Sequence, residues 1–432
     1  MSEHPIEAVP TRCGCAGKTS LDRVVRPALD EIRQNVPGVA VVDGLEAGLL
    51  PGTAEVERSV ADGPGGGNGT SREFVAAAFL GPECGSDSEA FRAVLSETYR
   101  QWAGMSGRAT IRKGHSIQLE TSSEPTVWGE TFRSSGQQRD GYRAINVDVI
   151  HALPGLDPVA QATVATAHAL NDCYTQGAAA DRDIRPIVGH PEGSDIDPDR
   201  VRRWYVAAAD SGVTVREPSL VAHDGRGWQF GASVLAATER LPPIHTGRID
   251  AGDEVSLHRP VGSLALYAGS VDGEQPVGSD VRKRALEALT ADHAPVARAI
   301  EASCPRPGER FDPERHLKWA GDISGPGIGG LAEITAAAGC GLSVESVPPL
   351  DRRGLDAVRR RWIVPDVTVE TNGPIAAVGT ADALDRFERR LAGCPSADPT
   401  RIGTVTGVSG EFRPAEGSHA ERYLDGIERR PR

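Results

Sequence analysis

The chain has 432 residues, more than one hydrophobic core usually organises, so two domains are expected. A formal net charge of −13 argues against a general nucleic-acid binder, because phosphate contacts need clustered Lys and Arg. Seven cysteines, an odd number over this length, read as free thiols in a reducing compartment and not as a disulfide scaffold.

The first residues, MSEHPIEAVPT, have neither a basic start nor an apolar stretch, so no signal peptide is expected. No apolar run approaches the ~20 residues that span a bilayer. The expectation is a cytoplasmic protein without a membrane or nucleic-acid partner. Residues 11–32, TRCGCAGKTSLDRVVRPALDEI, then bring two cysteines and Gly-Lys-Thr-Ser together. A phosphate loop of the Walker type needs a glycine five positions before its Gly-Lys, and Arg12 stands there. A structural zinc needs four ligands, and Cys13 and Cys15 supply two. By themselves these residues are also compatible with two thiols in a mobile segment. Lys18 stands out because the chain has only four lysines.

Residues 33–110 read as an insertion or small subdomain, with a linker-like glycine run at 62–71 and a helix-spaced apolar set at Phe91, Val94, Leu95, Tyr99 and Trp102. Residues 111–248 read as an α/β domain. YRAINVDVI (142–150) alternates as a strand. A helix follows, capped by Asp157, with Pro158 in its first turn and Gly177 at its end. A strand at 181–190, a helix from Asp197 to Gly212 and a strand at 227–237 complete it. Residues 249–417 read as a second α/β domain, with one long helical stretch over 279–303 and strand, helix, strand at 373–407. Residues 418–432 are a polar tail.

Asp148 ends a strand, Asp172 lies late in the next helix, and Asp322 precedes a glycine-rich turn. Three carboxylates on three elements suit Mg²⁺, a hard cation that takes oxygen ligands and shares them with nucleotide phosphates. Six segments in this order resemble selenide, water dikinase, within the aminoimidazole ribonucleotide synthetase-like superfamily. They are CGCAGKTS (13–20), NVD (146–148), HALNDCYTQG (168–177), AGDEVSLHRPVG (251–262), DISGPGIGGL (322–331) and TNGP (371–374). The resemblance covers most of the chain outside residues 33–110.

It implies a two-domain α/β (α+β) fold whose N-terminal sheet pairs with its copy in a homodimer. It further implies transfer of the γ-phosphoryl group of ATP to selenide, with AMP and orthophosphate as the other products. Cys13 then matches the reactive thiol and Lys18 the essential lysine. Asp148, Asp172 and Asp322 match the Mg²⁺ and phosphate ligands, with Gly325 and Thr371 in the nucleotide-contacting turns. The chain departs from the pattern at His168, where the family has asparagine, at Pro374 in place of a glycine, and at REPS (216–219) in place of Gly-Gly-His-Ser. The family's acidic pair before the first long strand is not found as an Asp pair in residues 112–140, where Glu130 or Asp140 are the substitutes on offer. A kinase of the same superfamily with another acceptor, or a nucleotide-binding regulatory homologue without turnover, are the alternatives.

Overall fold

The structure, a computed structural model, describes residues 39–41, 72–74, 107–112, 116–121, 130–134, 137–210, 212–223, 228–243, 248–271, 277–306, 309–324, 331, 335, 338–361, 370–408 and 411–414. Cys13, Lys18, Gly325, the helix expected around Phe91, the glycine run at 62–71 and the polar tail lie outside them. Short strands β1 (Val39–Val41) and β2 (Arg72–Phe74) pair in parallel. Strands β3 (Gly107–Arg112) and β4 (Ser116–Thr121) form an antiparallel pair.

The first large sheet is built on three long strands. These are β6 (Gln137–His151), β7 (Ala180–Pro191) and β10 (Gln229–Thr238), with β5 (Glu130–Ser134), β8 (Thr214–Val215) and β9 (Ser219–His223) along their edges. Its order is β5-β6-β10-β7-β8, and β9 also pairs with β7. Strand β10 is antiparallel to both neighbours and buried along its whole length, as its run of small and apolar residues requires of a central strand. Gly231 is needed there, because a Cβ would overlap the carbonyl oxygen of Asp148 on β6.

Helix α1 (Pro158–Thr175) covers this sheet. Asp157 caps it by accepting from the amides of Val159 and Ala160 at 2.9 and 3.0 Å, and Pro158 fits the first turn because its missing N–H has no partner to lose. From Gln161 to Thr175 all but Thr163 are buried, so the helix is enclosed on nearly every side and its small alanines let it pack closely. Gly177, at φ +72°, ends it as the sequence leads one to expect. Helix α2 (Pro198–Ala208) starts at the Asp197 cap, but stops before Gly212, which lies in the following turn at φ +90°.

The second large sheet has the order β12-β14-β11-β15-β13-β16. Its strands are β11 (Glu254–Leu257), β12 (Trp319–Asp322), β13 (Gly341–Val344), β14 (Ile375–Gly379), β15 (Thr400–Thr406) and β16 (Phe412–Pro414). Helices α3 (Ser263–Val271), α4 (Ser279–Leu289), α5 (Ala294–Ala302), α6 (Arg352–Arg361) and α7 (Ala381–Leu391) accompany it. The stretch expected as one helix over 279–303 is two, broken after Leu289. Pro295 cannot donate to a continuing helix. The carbonyls freed at Ala288, Leu289 and Ala291 are taken up by the side-chain amide of Asn372, at 3.4, 3.0 and 3.0 Å.

Apolar core residues of both sheets form one connected cluster, from Ile150 and Leu170 through Leu264 and Ile300 to Phe387. No helix among the described residues is long and apolar enough to cross a membrane.

Candidate functional site

The site grows from two local spacings. On a strand, residues two apart share a face, so Asn146 and Asp148 of β6 point the same way. On a helix, residues four apart share a face, so His168 and Asp172 of α1 are neighbours. These four side chains interlock. His168 Nε2 lies 2.9 Å from Asp148 Oδ2, and Asn146 Nδ2 donates to Asp172 Oδ2 at 2.9 Å. Asp148 Oδ1 also accepts from the Val149 amide at 2.8 Å.

The third carboxylate arrives from the other sheet. Asp322 is the last residue of β12, a strand that packs against α1. Its carboxyl faces Asp172, and the structure therefore brings Asp148, Asp172 and Asp322 to one place. Burial pushes the Asp172 carboxyl well above the usual carboxylate range; the negative charges of Asp322 and Asp148 push it further, against a smaller opposing pull from His168. Asp322 Oδ2 is buried and receives no N–H or O–H donor among the described residues.

The loop at 371–374 locks the junction. Asn372, in a left-handed conformation at φ +47°, uses every polar group it has on the backbone side: its N–H donates to His168 Nδ1 at 3.0 Å and its carbonyl accepts from the Arg259 guanidinium. Because His168 Nδ1 accepts, Nε2 carries the proton and donates it to Asp148. Asn171 of α1 donates to the Gly373 carbonyl at 3.1 Å. Gly373 sits against the backbone of Ile323, and a Cβ there would overlap the Ile323 carbonyl oxygen. Thr371 is fully buried within this loop.

Behind the carboxylates lies a buried polar layer. His293 Nδ1 meets Asn171 Oδ1 at 2.8 Å, and its ring stands edge-on to His258 with centroids 4.5 Å apart. Burial, followed by the nearby positive charge, holds both imidazoles well below the usual histidine range, so they are neutral at pH 7. Burial lowers the Arg259 guanidinium to about 10, against the attraction of Glu370. Glu370 fills the start of α3: it accepts from the amides of Gly262, Ser263 and Leu264 and from Ser263 Oγ at 2.7 Å. A carboxylate is well placed at a helix N-terminus, where several amides have no helical partner.

Carboxylate oxygens from three elements are a donor set that suits Mg²⁺, and the undonated Asp322 Oδ2 is one such oxygen. Among the described residues no three His, Cys, Asp or Glu side chains already stand in an arrangement that holds a metal ion. His168 and Val149 occupy Asp148, and Asn146 occupies one Asp172 oxygen, so a cation would have to share these oxygens with their present partners or displace them. The donor chemistry fits the ion, although the described residues do not form a ready-made site.

His168, Asn171, Asn372 and Glu370 carry this junction, and none of them is singled out by sequence reading as a site residue. The signal for His168 is its i, i+4 spacing to Asp172. Replacing His168 with alanine leaves Asp148 Oδ2 and the Asn372 amide without their partner, and stability falls by about 1–3 kcal/mol, read from urea unfolding midpoints.

No protein-family model matches the chain, and no curated protein matches it in sequence. Solved structures similar to it include HypE of E. coli, 15% identical over 64% of this chain and 83% of that one, with a TM-score of 0.49. Thiamine monophosphate kinase from Aquifex aeolicus is 14% identical over 65% of this chain and 89% of that one, with a TM-score of 0.47. The hydrogenase maturation protein HypE in complex with ATP is 16% identical over 64% and 83%, with a TM-score of 0.47.

Proposed function

We propose that the junction of Asp148, Asp172 and Asp322 is the centre of an ATP- and Mg²⁺-dependent phosphotransferase. The observation that carries this is the meeting of three carboxylates from two strands and a helix, one of which, Asp172, is pushed to retain its proton by burial and then by the charges of the other two. Such a cluster is unfavourable by itself, and a divalent cation among the three removes the cost. The bound cation would neutralise phosphate charge and orient the transferred group, which is most of what phosphoryl transfer requires of a protein. Asp148, Asp172 and Asp322 would hold it, and His168, itself fixed by the Asn372 amide, keeps Asp148 in place.

The acceptor we propose is selenide, on the strength of Cys13 and Lys18 in the amino-terminal segment and the order of the six motifs. Cys13 would present a soft thiolate to selenium, and Lys18 nearby would raise the thiolate fraction. A homodimer in the cytoplasm belongs to the same proposal. Incubated with ATP, Mg²⁺ and selenide, the protein should release AMP and orthophosphate only when selenide is present. Selenide-independent ADP would instead assign the site to a kinase with another acceptor.

One observation favours a second reading, a nucleotide-binding homologue without turnover: Asp148 and Asp172 already have protein partners. ATP binding with neither AMP nor ADP formed would select it.

A further inference from the structure

The carboxylate junction lies at one end of β12, and a different chemistry gathers at the other. Lys318 immediately precedes this four-residue strand and Asp322 closes it, so the two ends are about 13 Å apart. Beside Lys318 opens a groove of about 480 Å³ whose walls include Arg248, Arg310 and Phe311. That volume falls within the range of small-molecule sites, roughly 300–1,000 Å³.

The groove is cationic in a chain of net charge −13. The Arg248 guanidinium lies over the Phe311 ring, 4.2 Å from its centroid, which holds its plane in a fixed orientation. Arg310 is exposed and has no carboxylate partner among the described residues. Lys318 Nζ lies 2.7 Å from Asp253 and 3.1 Å from Asp250, which also lines the groove, so the two arginines exceed the one carboxylate charge the lysine leaves over.

The positive field continues past the groove. Phe311 packs on His316, with ring centroids 5.6 Å apart; burial holds the His316 imidazole below its usual range, so beside Glu309, 3.7 Å from His316 and 4.0 Å from Arg315, the arginine is the cation. Arg240 donates to the Cys304 carbonyl at 2.9 Å, and Arg390 of α7 donates to Ser303 Oγ at 3.3 Å, which puts both beside the end of α5. Arg390 is lowered from the usual arginine value first by burial and then by Arg386, Arg240, Arg389 and Arg315. The bonds to the Cys304 carbonyl and to Ser303 Oγ each use one N–H donor of a guanidinium that has five. Arginine, with its planar fork, is suited to bind phosphate through paired hydrogen bonds.

We propose that this groove is a second ligand site, one that takes a small molecule carrying two or more linked phosphoryl groups. Arg248 and Arg310 bind the phosphoryl oxygens, and the arginines around Arg240 and Arg390 attract the ligand to the groove. The proposal does not depend on the catalytic reading of the aspartates, and its test separates the two.

Inorganic pyrophosphate and ATP, without divalent metal, are titrated into the protein by calorimetry at near-physiological salt. The wild type is expected to bind pyrophosphate saturably. The paired change Arg248→Ala with Arg310→Ala weakens binding about tenfold or more, and Asp148→Asn with Asp322→Asn leaves it unchanged. ATP binding more tightly than pyrophosphate, with the same arginine dependence, assigns the site to nucleotides; equal binding assigns it to the phosphoryl groups alone. Arg310→Glu, at an exposed position, repeats the test if the paired variant does not fold. Failure of the wild type to bind, full binding by the arginine variants, or loss confined to the aspartate variant overturns the proposal. So does tighter, arginine-dependent binding of a short oligonucleotide, which would make the patch a nucleic-acid surface.

Discussion

Glu370→Ala is expected to destabilise the protein by about 3–5 kcal/mol, the range for removing one partner of a buried ion pair. Glu370 is fully buried, and its carboxylate answers three backbone amides and a hydroxyl at the start of α3 as well as the charge of Arg259. Alanine leaves those amides without acceptors and Arg259 uncompensated in a low-dielectric interior. Arg259 in turn holds the Asn372 carbonyl, so the loop that bears on His168 loosens with it. Glu370→Gln keeps the shape and one of the two acceptor oxygens, and should lose less than the alanine variant. Urea unfolding of the three proteins measures this, and a loss under about 1 kcal/mol for the alanine variant would mean that Glu370 does not organise α3.

Asp172→Asn should act in opposite directions on activity and stability. Turnover that depends on Mg²⁺ and ATP should fall by about 10²–10³-fold, the scale of losing one well-placed group that stabilises transition-state charge. Without divalent metal, the same variant should be more stable than the wild type at neutral pH. The folded protein keeps the Asp172 proton to higher pH than the unfolded chain does, because burial and the charges of Asp322 and Asp148 disfavour its ionised form. The folded state therefore binds more protons over that interval, and stability falls as pH rises from the ordinary carboxylate range toward the raised folded value. Asparagine removes this loss. The variant and the wild type should melt together in acid and separate toward neutral pH, the variant higher by on the order of 1 kcal/mol, or about 1 °C. Thermal melts across pH in the presence of a chelator read it directly, and curves that stay parallel would show that Asp172 is not strained by its neighbours.

Much of this architecture is legible in local chemistry. Asp157-Pro158 and Asp197-Pro198 mark the starts of α1 and α2, and Gly177 marks an end, because each rule involves only a few adjacent residues. The three aspartates draw notice as well, near the end of a strand, late in a helix and before a glycine-rich turn. What sequence cannot display is pairing over distance. Strand β10 enters between β6 and β7 although it follows β7 by almost forty residues, and nothing in its own pattern says so beyond its lack of polar alternation. The break between α4 and α5 depends on Asn372, some eighty residues away, supplying the missing donors. Glu370 caps a helix that begins more than a hundred residues earlier. His168 looks like a departure from a family pattern, yet in the fold it links Asp148 to the Asn372 loop.

A divalent cation is expected to bind where Asp148, Asp172 and Asp322 meet, and Mn²⁺ reports on that site by electron paramagnetic resonance. Titrated with ATP present, the wild type should bind Mn²⁺ with an affinity that falls about 10–100-fold or more in Asp322→Asn, and Mg²⁺ should compete for the same site. Equal Mn²⁺ binding by the wild type and by Asp322→Asn, both folded, would contradict it.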